Sequence, residues 1–340
     1  MHVTVLGSNG YTGMLLLRIL ARHPEVSRVT AASRSQAGLA LGDADPGLSK
    51  DMLRKGLLSE RVVSPEEALT NPGDVVFSAL PHNASAAVCA PLLGKTIIID
   101  LSADFRFSDS QRYARAYGVA PPQQEHQRES VYGLSEWYRQ DLRNAPIVAN
   151  PGCYPTATLL PLLPILPFIP SADRGSAIVV NAMSGISGAG KKESVPILFS
   201  ERTENGNAYN PGRTHRHAAE ICEQLHREDV IFNPHLVPIK QGMAATTTVT
   251  VREPGAAVQA LQERYSDEPF ITLTGTTPPE IRHVRGTNQI RIAWRQEGDQ
   301  LILMSVIDNL WKGASGQAVQ NMNIRCGFPE TTGLLRDGDL

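Results

Sequence analysis

The chain has 340 residues, 41% of them hydrophobic and 19% charged, so its length allows two domains and its composition is that of a globular protein. The formal net charge of -2 excludes a generally basic surface, so neither a nucleic-acid partner nor an anionic membrane is expected. Four cysteines without a Cys-x-x-Cys pair, together with the lack of a signal-peptide pattern or a long apolar run, predict a cytoplasmic protein without disulfides or structural zinc.

Short apolar runs alternate with helical patterns through the first 149 residues. Residues 3–6, 29–32, 75–78, 97–100 and 147–149 are predicted as buried parallel strands, and residues 14–22 and 84–93 as helices between them. This alternation is typical of βαβ units. It predicts a doubly wound α/β domain of the Rossmann type, which binds a dinucleotide.

A glycine-rich segment follows the first predicted strand directly and opens the first helix. It is spaced Gly-x-x-Gly-x-x-Gly, which departs from the more usual Gly-x-Gly-x-x-Gly. Glycines at this place let the backbone approach a pyrophosphate at the helix N-terminus. We therefore expect the whole segment to bind the cofactor, with a structural turn as the alternative: Gly7, Ser8, Asn9, Gly10, Tyr11, Thr12 and Gly13.

The end of the second predicted strand indicates which dinucleotide is bound. Enzymes that use NAD usually present Asp or Glu here to the ribose 2′-hydroxyl, and this chain has Ser33-Arg34-Ser35 instead. Two hydroxyls and a guanidinium suit a 2′-phosphate, which favours NADPH. The alternative is that Arg34 is only a solvated surface charge.

One cysteine lies in a tight turn at a predicted helix start, within the segment Asn150-Pro151-Gly152-Cys153-Tyr154-Pro155-Thr156. Pro151 and Gly152 form turns, and Pro155 suits the first helical turn, where its missing N–H costs nothing. The unpaired N–H groups of a helix N-terminus stabilise a thiolate and an oxyanion beside it. Cys153 is therefore the candidate nucleophile, and a small buried apolar side chain is the alternative.

After this turn the pattern changes to longer strands, several with period-two alternation. Residues 177–183, 237–239, 244–251, 289–294 and 301–307 are predicted strands, residues 217–226 and 256–265 are predicted helices, and residues 313–325 form a last helix. We expect an α+β domain over residues 150–309, while residues 1–149 and 310–340 build the dinucleotide-binding domain. The apolar and Thr-rich faces of the long strands predict a homodimer or homotetramer.

Several further segments carry a family resemblance together with the glycine-rich and cysteine turns. They are Leu80-Pro81-His82, Asp100-Leu101-Ser102-Ala103-Asp104-Phe105-Arg106, Tyr132-Gly133-Leu134-Ser135-Glu136, Ser184-Gly185-Ile186-Ser187-Gly188-Ala189-Gly190, His215-Arg216-His217, His235-Leu236-Val237-Pro238 and Asp308-Asn309-Leu310-Trp311-Lys312-Gly313-Ala314. Over nearly its full length the chain resembles the N-acetyl-gamma-glutamyl-phosphate reductase family of arginine biosynthesis. That family is related to aspartate-semialdehyde dehydrogenases and, more distantly, to glyceraldehyde-phosphate dehydrogenases.

The resemblance implies an NADPH-dependent reduction of N-acetyl-gamma-glutamyl phosphate to N-acetylglutamate 5-semialdehyde with release of phosphate. A thiolate displaces phosphate from the activated carboxyl group and leaves a thioester on Cys153. The step needs a general acid/base, for which we choose His217 first and His215 second. The alternative for each histidine is a capping or core role. Zinc is disfavoured because no Cys or acidic residue sits at ligand spacing, so we expect no metal.

Anion recognition is expected from Arg106, Lys191 and Lys240, because the substrate carries a carboxylate and a phosphate. Asn150, in the cysteine turn, is also expected to contact the substrate. Arg106 follows a predicted parallel strand at the edge where ligands of open α/β sheets bind, and an ion pair with Asp104 is its alternative.

The loop that begins at Ser184 follows a strand and holds three glycines among small hydroxyl residues. Its backbone N–H groups can form an anion nest, so Ser184, Gly185 and Gly188 are expected to contact the cofactor; a plain flexible loop is the alternative. The resemblance implies that Asn309 hydrogen-bonds the nicotinamide carboxamide. Capping of the last helix is its alternative role.

Two departures from the family pattern concern the substrate. The chain has Lys240-Gln241-Gly242 where Arg is expected before the glycine, so Gln241 cannot supply that charge, and Ala218-Ala219 replaces a frequent Thr-Pro. Aspartyl phosphate and a carrier-linked aminoadipyl phosphate are therefore alternative substrates. A non-catalytic NADP-sensing module is an alternative of another class, because fold alone permits it.

Overall fold

The computed structural model describes residues 1–54, 56–122, 129–172 and 177–334. These residues form two compact units. The first contains Met1–Ser110, Ala120–Pro151 and Ala314–Leu334, and the second contains Gln111–Val119 and Gly152–Gly313. Residues 335–340, which the sequence assigns to the first domain, lie outside the described residues. Within the described part of the chain, no helix is long and apolar enough to cross a membrane.

A six-stranded parallel sheet forms the centre of the first unit, with strand order β2-β1-β3-β4-β6-β5. Most positions of its strands are buried, and many of them carry Val or Ile, as expected for a sheet covered on both faces. The predicted doubly wound sheet is confirmed. The strands are β1 (His2–Leu6), β2 (Arg28–Ala32), β3 (Val75–Ser78), β4 (Ile97–Asp100), β5 (Ser130–Tyr132) and β6 (Ile147–Ala149).

The last helix of this unit, α12, has an unusually polar buried face. The helices of the unit are α1 (Tyr11–Leu20), α2 (Leu41–Ala44), α3 (Lys50–Arg54), α4 (Pro65–Ala68), α5 (Ser85–Cys89), α7 (Ser135–Leu142) and α12 (Gly316–Cys326). In α12 the amides of Gln317, Gln320, Asn321 and Asn323 are fully buried. They remain stable there because they hydrogen-bond partners such as the Gly133 carbonyl, at 2.9 Å from Gln317 Nε2 and 2.8 Å from Asn321 Nδ2.

A seven-stranded mixed sheet forms the second unit, in the order β11-β12-β13-β10-β7-β9-β8. The predicted α+β architecture with a mixed sheet is confirmed. Its strands are β7 (Ile178–Ser184), β8 (Asn207–Ala208), β9 (Val230–Leu236), β10 (Met243–Thr250), β11 (Ile271–Leu273), β12 (Ile290–Glu297) and β13 (Gln300–Ile307). Its helices are α8 (Cys153–Leu162), α9 (Phe199–Arg202), α10 (Arg216–Leu225) and α11 (Pro254–Tyr265). Helix α6 (Ser110–Tyr117) also belongs to this unit, apart from its first residue, Ser110.

Three sequence expectations differ from this structure. Residues 237–239 are not a strand; the strand is β9, which Pro234 hides from a pattern-based reading. The expected last helix is divided, because a π-helical turn at Trp311–Ser315 precedes α12. Residues Gln111–Val119 join the second unit, since Arg112 pairs with Glu228 and the Arg216 guanidinium lies 5.2 Å from the ring centre of Tyr117.

Helix α8 carries the candidate nucleophile and is buried from Tyr154 to Leu162. Pro161 and Pro164 have no N–H, so the carbonyls four residues earlier lose their helical donors. Two hydroxyls replace them: Ser305 Oγ donates to Ala157 O at 2.7 Å, and Tyr265 Oη donates to Leu160 O at 2.5 Å. These bonds hold a proline-containing helix against β13 and α11 and so fix the position of its N-terminus.

Candidate active site

Cys153 is the first residue of α8, and Gly152 is its N-cap in an extended conformation with φ -68° and ψ 154°. Cys153 is half-buried, and all four cysteines of the chain are thiols. Burial raises the pKa of Cys89 to about 12 and that of Cys222 to about 11, which keeps both thiols protonated at neutral pH. Cys153 alone combines partial exposure with a helix N-terminus, so it is the thiol placed for nucleophilic attack.

The His217 imidazole lies directly against Gly152. A methyl group at Gly152 would lie 2.5 Å from Nε2 of His217 and 2.9 Å from its Cδ2, so only glycine leaves room for the ring. Glu220, one helical turn later in α10, is buried and accepts the Gly152 N–H at Oε1 over 2.9 Å. The turn in front of Cys153 is therefore held between an imidazole and a carboxylate from the same helix face.

His215 has a different environment from His217. It is the N-cap of α10, and its Nδ1 accepts the backbone N–H of His217 at 3.1 Å. Its ring packs against Tyr154, Tyr209 and Phe232, with ring centres 5.7, 5.3 and 5.2 Å away. Burial, and secondly the neighbouring Arg216, lower the pKa of His215 to about 4, so it is neutral at physiological pH.

On another side of the nucleophile lies Gly313. A methyl group there would come 2.7 Å from Cβ of Cys153, so this position also requires the absence of a side chain. The Gly313 N–H donates to the Asp308 carbonyl at 3.0 Å, which fixes the turn after β13. Glycines thus border the nucleophile from two separate chain segments.

The loop after β7 is joined to the turn after β13 through Asn309. Asn309 Oδ1 accepts the Gly242 N–H at 2.7 Å, and its Nδ2 donates to Ser187 Oγ at 3.0 Å. The backbone of Ser187 also donates to Lys240 O at 3.0 Å. The Asn309 side chain therefore ties the loop of Ser184, Gly185 and Gly188 to the segment before β10, and it is not the cap of the last helix that we considered.

In the first unit, the glycine-rich segment runs from β1 into α1 as expected. Gly7 has φ +79°, and a methyl group there would lie 2.5 Å from Ala79 O. A methyl group at Gly13 would lie 2.3 Å from Gly7 O, so the third glycine allows α1 to pack closely on the turn that precedes it. Gly10 is the N-cap of α1. Within the described residues no side chain caps this helix and no acidic residue lies in its first turn.

Ser33, Arg34 and Ser35 follow β2 beside this segment. Asn9 Nδ2 donates to Ser35 Oγ at 3.1 Å, which links the two loops. The Arg34 side chain is 80% exposed and pairs with Glu66 at 3.2 Å. Because both partners of this ion pair are exposed to solvent, the pair is weak and leaves the guanidinium able to bind another anion.

Arg106 and Asn150 are both buried in the first unit. The Arg106 Nε donates to Asn150 O at 2.8 Å, and a terminal nitrogen donates to Leu101 O at 2.9 Å. Asn150 Nδ2 donates to Ala314 O at 3.2 Å, and its Oδ1 accepts from Asn321 Nδ2 at 3.0 Å. These bonds fix the backbone of the residue that precedes Pro151-Gly152-Cys153 in the chain.

Lys191 and Lys240 are exposed, whereas Gln241 is half-buried. Gln241 Nε2 donates to Asp308 Oδ2 at 2.6 Å.

Sequence reasoning missed Glu220, Gly313 and Asp308 as parts of this site. Only Glu220 had a local signal, because it lies one helical turn after His217. Among the described residues there is no group of three or more His, Cys, Asp or Glu side chains that could hold a metal ion.

Comparison with known proteins places this geometry in a family. The family described as semialdehyde dehydrogenase, NAD binding domain, matches residues 2–145, and semialdehyde dehydrogenase, dimerisation domain, matches residues 153–309. N-acetyl-gamma-glutamyl-phosphate reductase of Pseudomonas fluorescens strain Pf0-1 is 44% identical over 99% of both chains. The chain belongs to the N-acetyl-gamma-glutamyl-phosphate reductase family. The reductase of Akkermansia muciniphila is 41% identical over 98% of both chains.

Solved structures support the fold of this reductase family member. Aspartate semialdehyde dehydrogenase II of Vibrio cholerae superposes with a TM-score of 0.71 at 19% identity, covering 96% of this chain and 98% of that chain. A probable aspartate-semialdehyde dehydrogenase of Pseudomonas aeruginosa gives 0.70 at 19% identity, covering 95% and 98%. The predictions of the family, of an oxidoreductase that uses NADP, and of the two-domain fold class are confirmed.

Proposed function

We propose that this chain reduces N-acetyl-gamma-glutamyl phosphate to N-acetylglutamate semialdehyde with NADPH and releases phosphate, in arginine biosynthesis. The observation that carries the proposal is Cys153 at the start of α8, with the His217 imidazole packed on the preceding Gly152. The names of the relatives support this substrate and do not favour aspartyl phosphate, carrier-linked aminoadipyl phosphate or a non-catalytic NADP-sensing role.

In the first half-reaction, the Cys153 sulfur attacks the acyl carbon of the substrate. A C–S bond forms, the C–O bond to phosphate breaks, and phosphate leaves with the electron pair. His217 takes the thiol proton as general base, a role that suits an imidazole near neutral pH. His215 supports this role from the N-cap, because its neutral Nδ1 holds the His217 backbone N–H.

In the second half-reaction, NADPH held by the glycine-rich segment and by Ser33, Arg34 and Ser35 would supply the hydride that reduces the thioester. Backbone N–H groups at the first turn of α8 stabilise the oxyanion at the former carbonyl oxygen, since helix N-termini leave such groups without intrahelical acceptors. His217, which carries the proton taken from the thiol, protonates that oxyanion, takes the proton back as the thiohemiacetal collapses to the aldehyde, and returns it to the departing Cys153 thiolate. The same imidazole thus serves both half-reactions.

The first unit has the features that NADPH requires. The N-terminus of α1 is open to a pyrophosphate, because no described side chain caps it and no acidic residue repels an anion there. Gly7, Gly10 and Gly13 leave the backbone without a side chain at three positions of this segment. Ser33, Arg34 and Ser35 would hold the 2′-phosphate, with Arg34 exchanging its weak pair with Glu66 for the cofactor.

We assign the remaining predicted residues two kinds of role. Lys191 and Lys240 are exposed cations of the second unit and would attract the carboxylate and phosphate of the substrate. Arg106, Asn150 and Asn309 would position the loops, because the polar atoms described above are engaged with backbone and side-chain partners.

A homodimer or homotetramer is proposed for the assembly. One face of the β7, β9 and β10 layer exposes apolar side chains, with Met183 at 47% and Ile231 at 42%. This layer lies in the part of the chain that matches the dimerisation domain. Light scattering at micromolar concentration should find an oligomer. A monomer there would contradict this part, and replacement of Ile231 by Lys should weaken the assembly.

A cytoplasmic location is proposed from the cysteines alone. All four are thiols, as expected in a reducing compartment. Non-reducing and reducing gels of protein isolated from the native host under thiol-trapping conditions should be identical. An intermolecular or intramolecular disulfide would argue against this location.

The proposed reaction is tested in reverse. Purified protein should reduce NADP when supplied with N-acetylglutamate semialdehyde and phosphate, and the rate should vanish without phosphate. Aspartate semialdehyde should be used at least a hundredfold less well, and Cys153→Ser should abolish most activity while binding NADPH normally. A preference for aspartate semialdehyde, or full activity of Cys153→Ser, would overturn the proposal.

A further inference from the structure

The amide of Gln241 has a fixed orientation. Its Nε2 donates to Asp308 Oδ2 at 2.6 Å, and a carboxylate can only accept hydrogen bonds, so the NH2 group must face Asp308 and the Oε1 must face away. Gln241 is half-buried, so this bond is shielded from much of the solvent. The side chain therefore presents a hydrogen-bond acceptor from a set position.

Asp308 makes the surroundings of this acceptor negative. It is fully buried, and its carboxylate accepts from Gln241, the N–H of Gly286 at 2.7 Å, and the N–H groups of Leu310 and Trp311 at 2.9 and 3.2 Å. Every one of these donors is neutral. Burial is the largest cause of the raised pKa of Asp308, and none of these donors carries a positive charge that would lower it.

Gln241 is connected to the nucleophile through the turn after β13. The carbonyl of Asp308 holds the Gly313 N–H at 3.0 Å, and Gly313 packs on Cβ of Cys153. The segment that carries Gln241 is joined to the same turn by Asn309, which holds the Gly242 N–H. Gln241 is thus one hydrogen-bonded residue, Asp308, away from the turn that contacts Cys153.

We propose that Gln241 determines specificity by accepting the acetamido N–H of the substrate. The inference rests on the proposed function. At neutral pH the carboxylate and phosphate of N-acetyl-gamma-glutamyl phosphate only accept hydrogen bonds, and its acetamido group carries the one N–H donor. The Oε1 of Gln241, an acceptor beside the buried Asp308 side chain, therefore fits that N–H, and the carboxylate of the substrate is left to cations such as Lys240.

The test compares two semialdehydes in the phosphate-dependent reduction of NADP. N-acetylglutamate semialdehyde carries the acetamido group, and glutarate semialdehyde lacks it but keeps the carboxylate and the aldehyde. Gln241→Met removes both the acceptor and the donor to Asp308, so the readout is the ratio of the two kcat/KM values: the preference for the acetylated substrate should fall about tenfold, because a lost hydrogen bond costs about that factor. Lys240→Met should lower kcat/KM for both substrates alike.

Gln241→Asn provides a second variant, which keeps a polar side chain and tests the proposal even if Gln241→Met does not fold. It is one methylene too short to hold Asp308 and the substrate together, so it should lose the same discrimination. An equal fall for both semialdehydes, or no fall for either, would overturn the role of Gln241 while leaving the proposed function intact. Lack of activity of the unaltered protein with the acetylated substrate would overturn the proposed function itself, and the role of Gln241 with it.

Discussion

Gly152→Ala should lower kcat/KM by about a hundredfold without unfolding the protein. The introduced methyl group would lie 2.5 Å from Nε2 of His217 and 3.0 Å from its Cε1. Carbon and nitrogen atoms in ordinary contact stay about 3.5 Å apart, so the imidazole must retreat by about 1 Å. A displacement of that size in a catalytic group costs about two orders of magnitude in rate. The backbone accepts the change, because φ -68° and ψ 154° are ordinary for alanine.

The assay is the phosphate-dependent reduction of NADP by N-acetylglutamate semialdehyde. Gly255→Ala is the matched control, since nothing lies within 4 Å of a methyl group at that helical position, and it should retain full activity. In a His217→Asn background, Gly152→Ala should add little further loss if its effect passes through the imidazole. Wild-type kcat/KM in Gly152→Ala, or a full additional loss in the double variant, would refute the placement of His217 as acid/base.

Three further predictions concern the cofactor preference, the two histidines and a buried carboxyl group. Arg34→Asp should weaken NADPH use and spare or improve NADH use, because a carboxylate repels a 2′-phosphate and accepts a hydrogen bond from a 2′-hydroxyl. Unchanged Michaelis constants for both cofactors would show that Arg34 is not at the cofactor site. His215→Asn keeps an N-capping side chain and should retain turnover within about tenfold with the same pH profile, whereas His217→Asn should lose about two to four orders of magnitude and flatten one limb of the profile. Burial raises the pKa of Asp100 to about 6, so the folded protein keeps a proton that the unfolded chain loses near pH 4, and stability should fall as pH rises from about 4 to about 6. Asp100→Asn should remove that slope from thermal melts, and an unchanged slope would show that Asp100 ionises normally.

Much of the first unit is predictable from sequence because its signals are local. Three of its six strands, β3, β4 and β6, have the bounds expected from their apolar runs, and the glycine-rich segment opens α1 as expected. The missed strand of the second unit, β9, contains Pro234, and a proline usually argues against a strand interior. The short segment 237–239, which contains a proline too, is predicted as a strand from the apolar Val237 and Ile239, and the structure has no strand there.

The candidate site was predictable only in part, since several of its contacts join distant residues. Cys153 stands out because its turn and helix start are contiguous in sequence. Gly313 and Asp308 acquire meaning only when the fold brings the turn after β13 to the nucleophile. Likewise, Asn150 is held by Asn321 from a separate helix, so no single stretch of sequence shows that its amide is already engaged.

The central claim is that Cys153 carries the acyl group during turnover. Protein mixed with N-acetyl-gamma-glutamyl phosphate in the absence of NADPH, quenched in acid and analysed by peptide mass spectrometry, tests it directly. The N-acetylglutamyl group should be found on the peptide that contains Cys153, and it should disappear when NADPH is added before the quench. An acyl group on another residue, or an unmodified Cys153 in protein that turns over normally with NADPH, would contradict the mechanism.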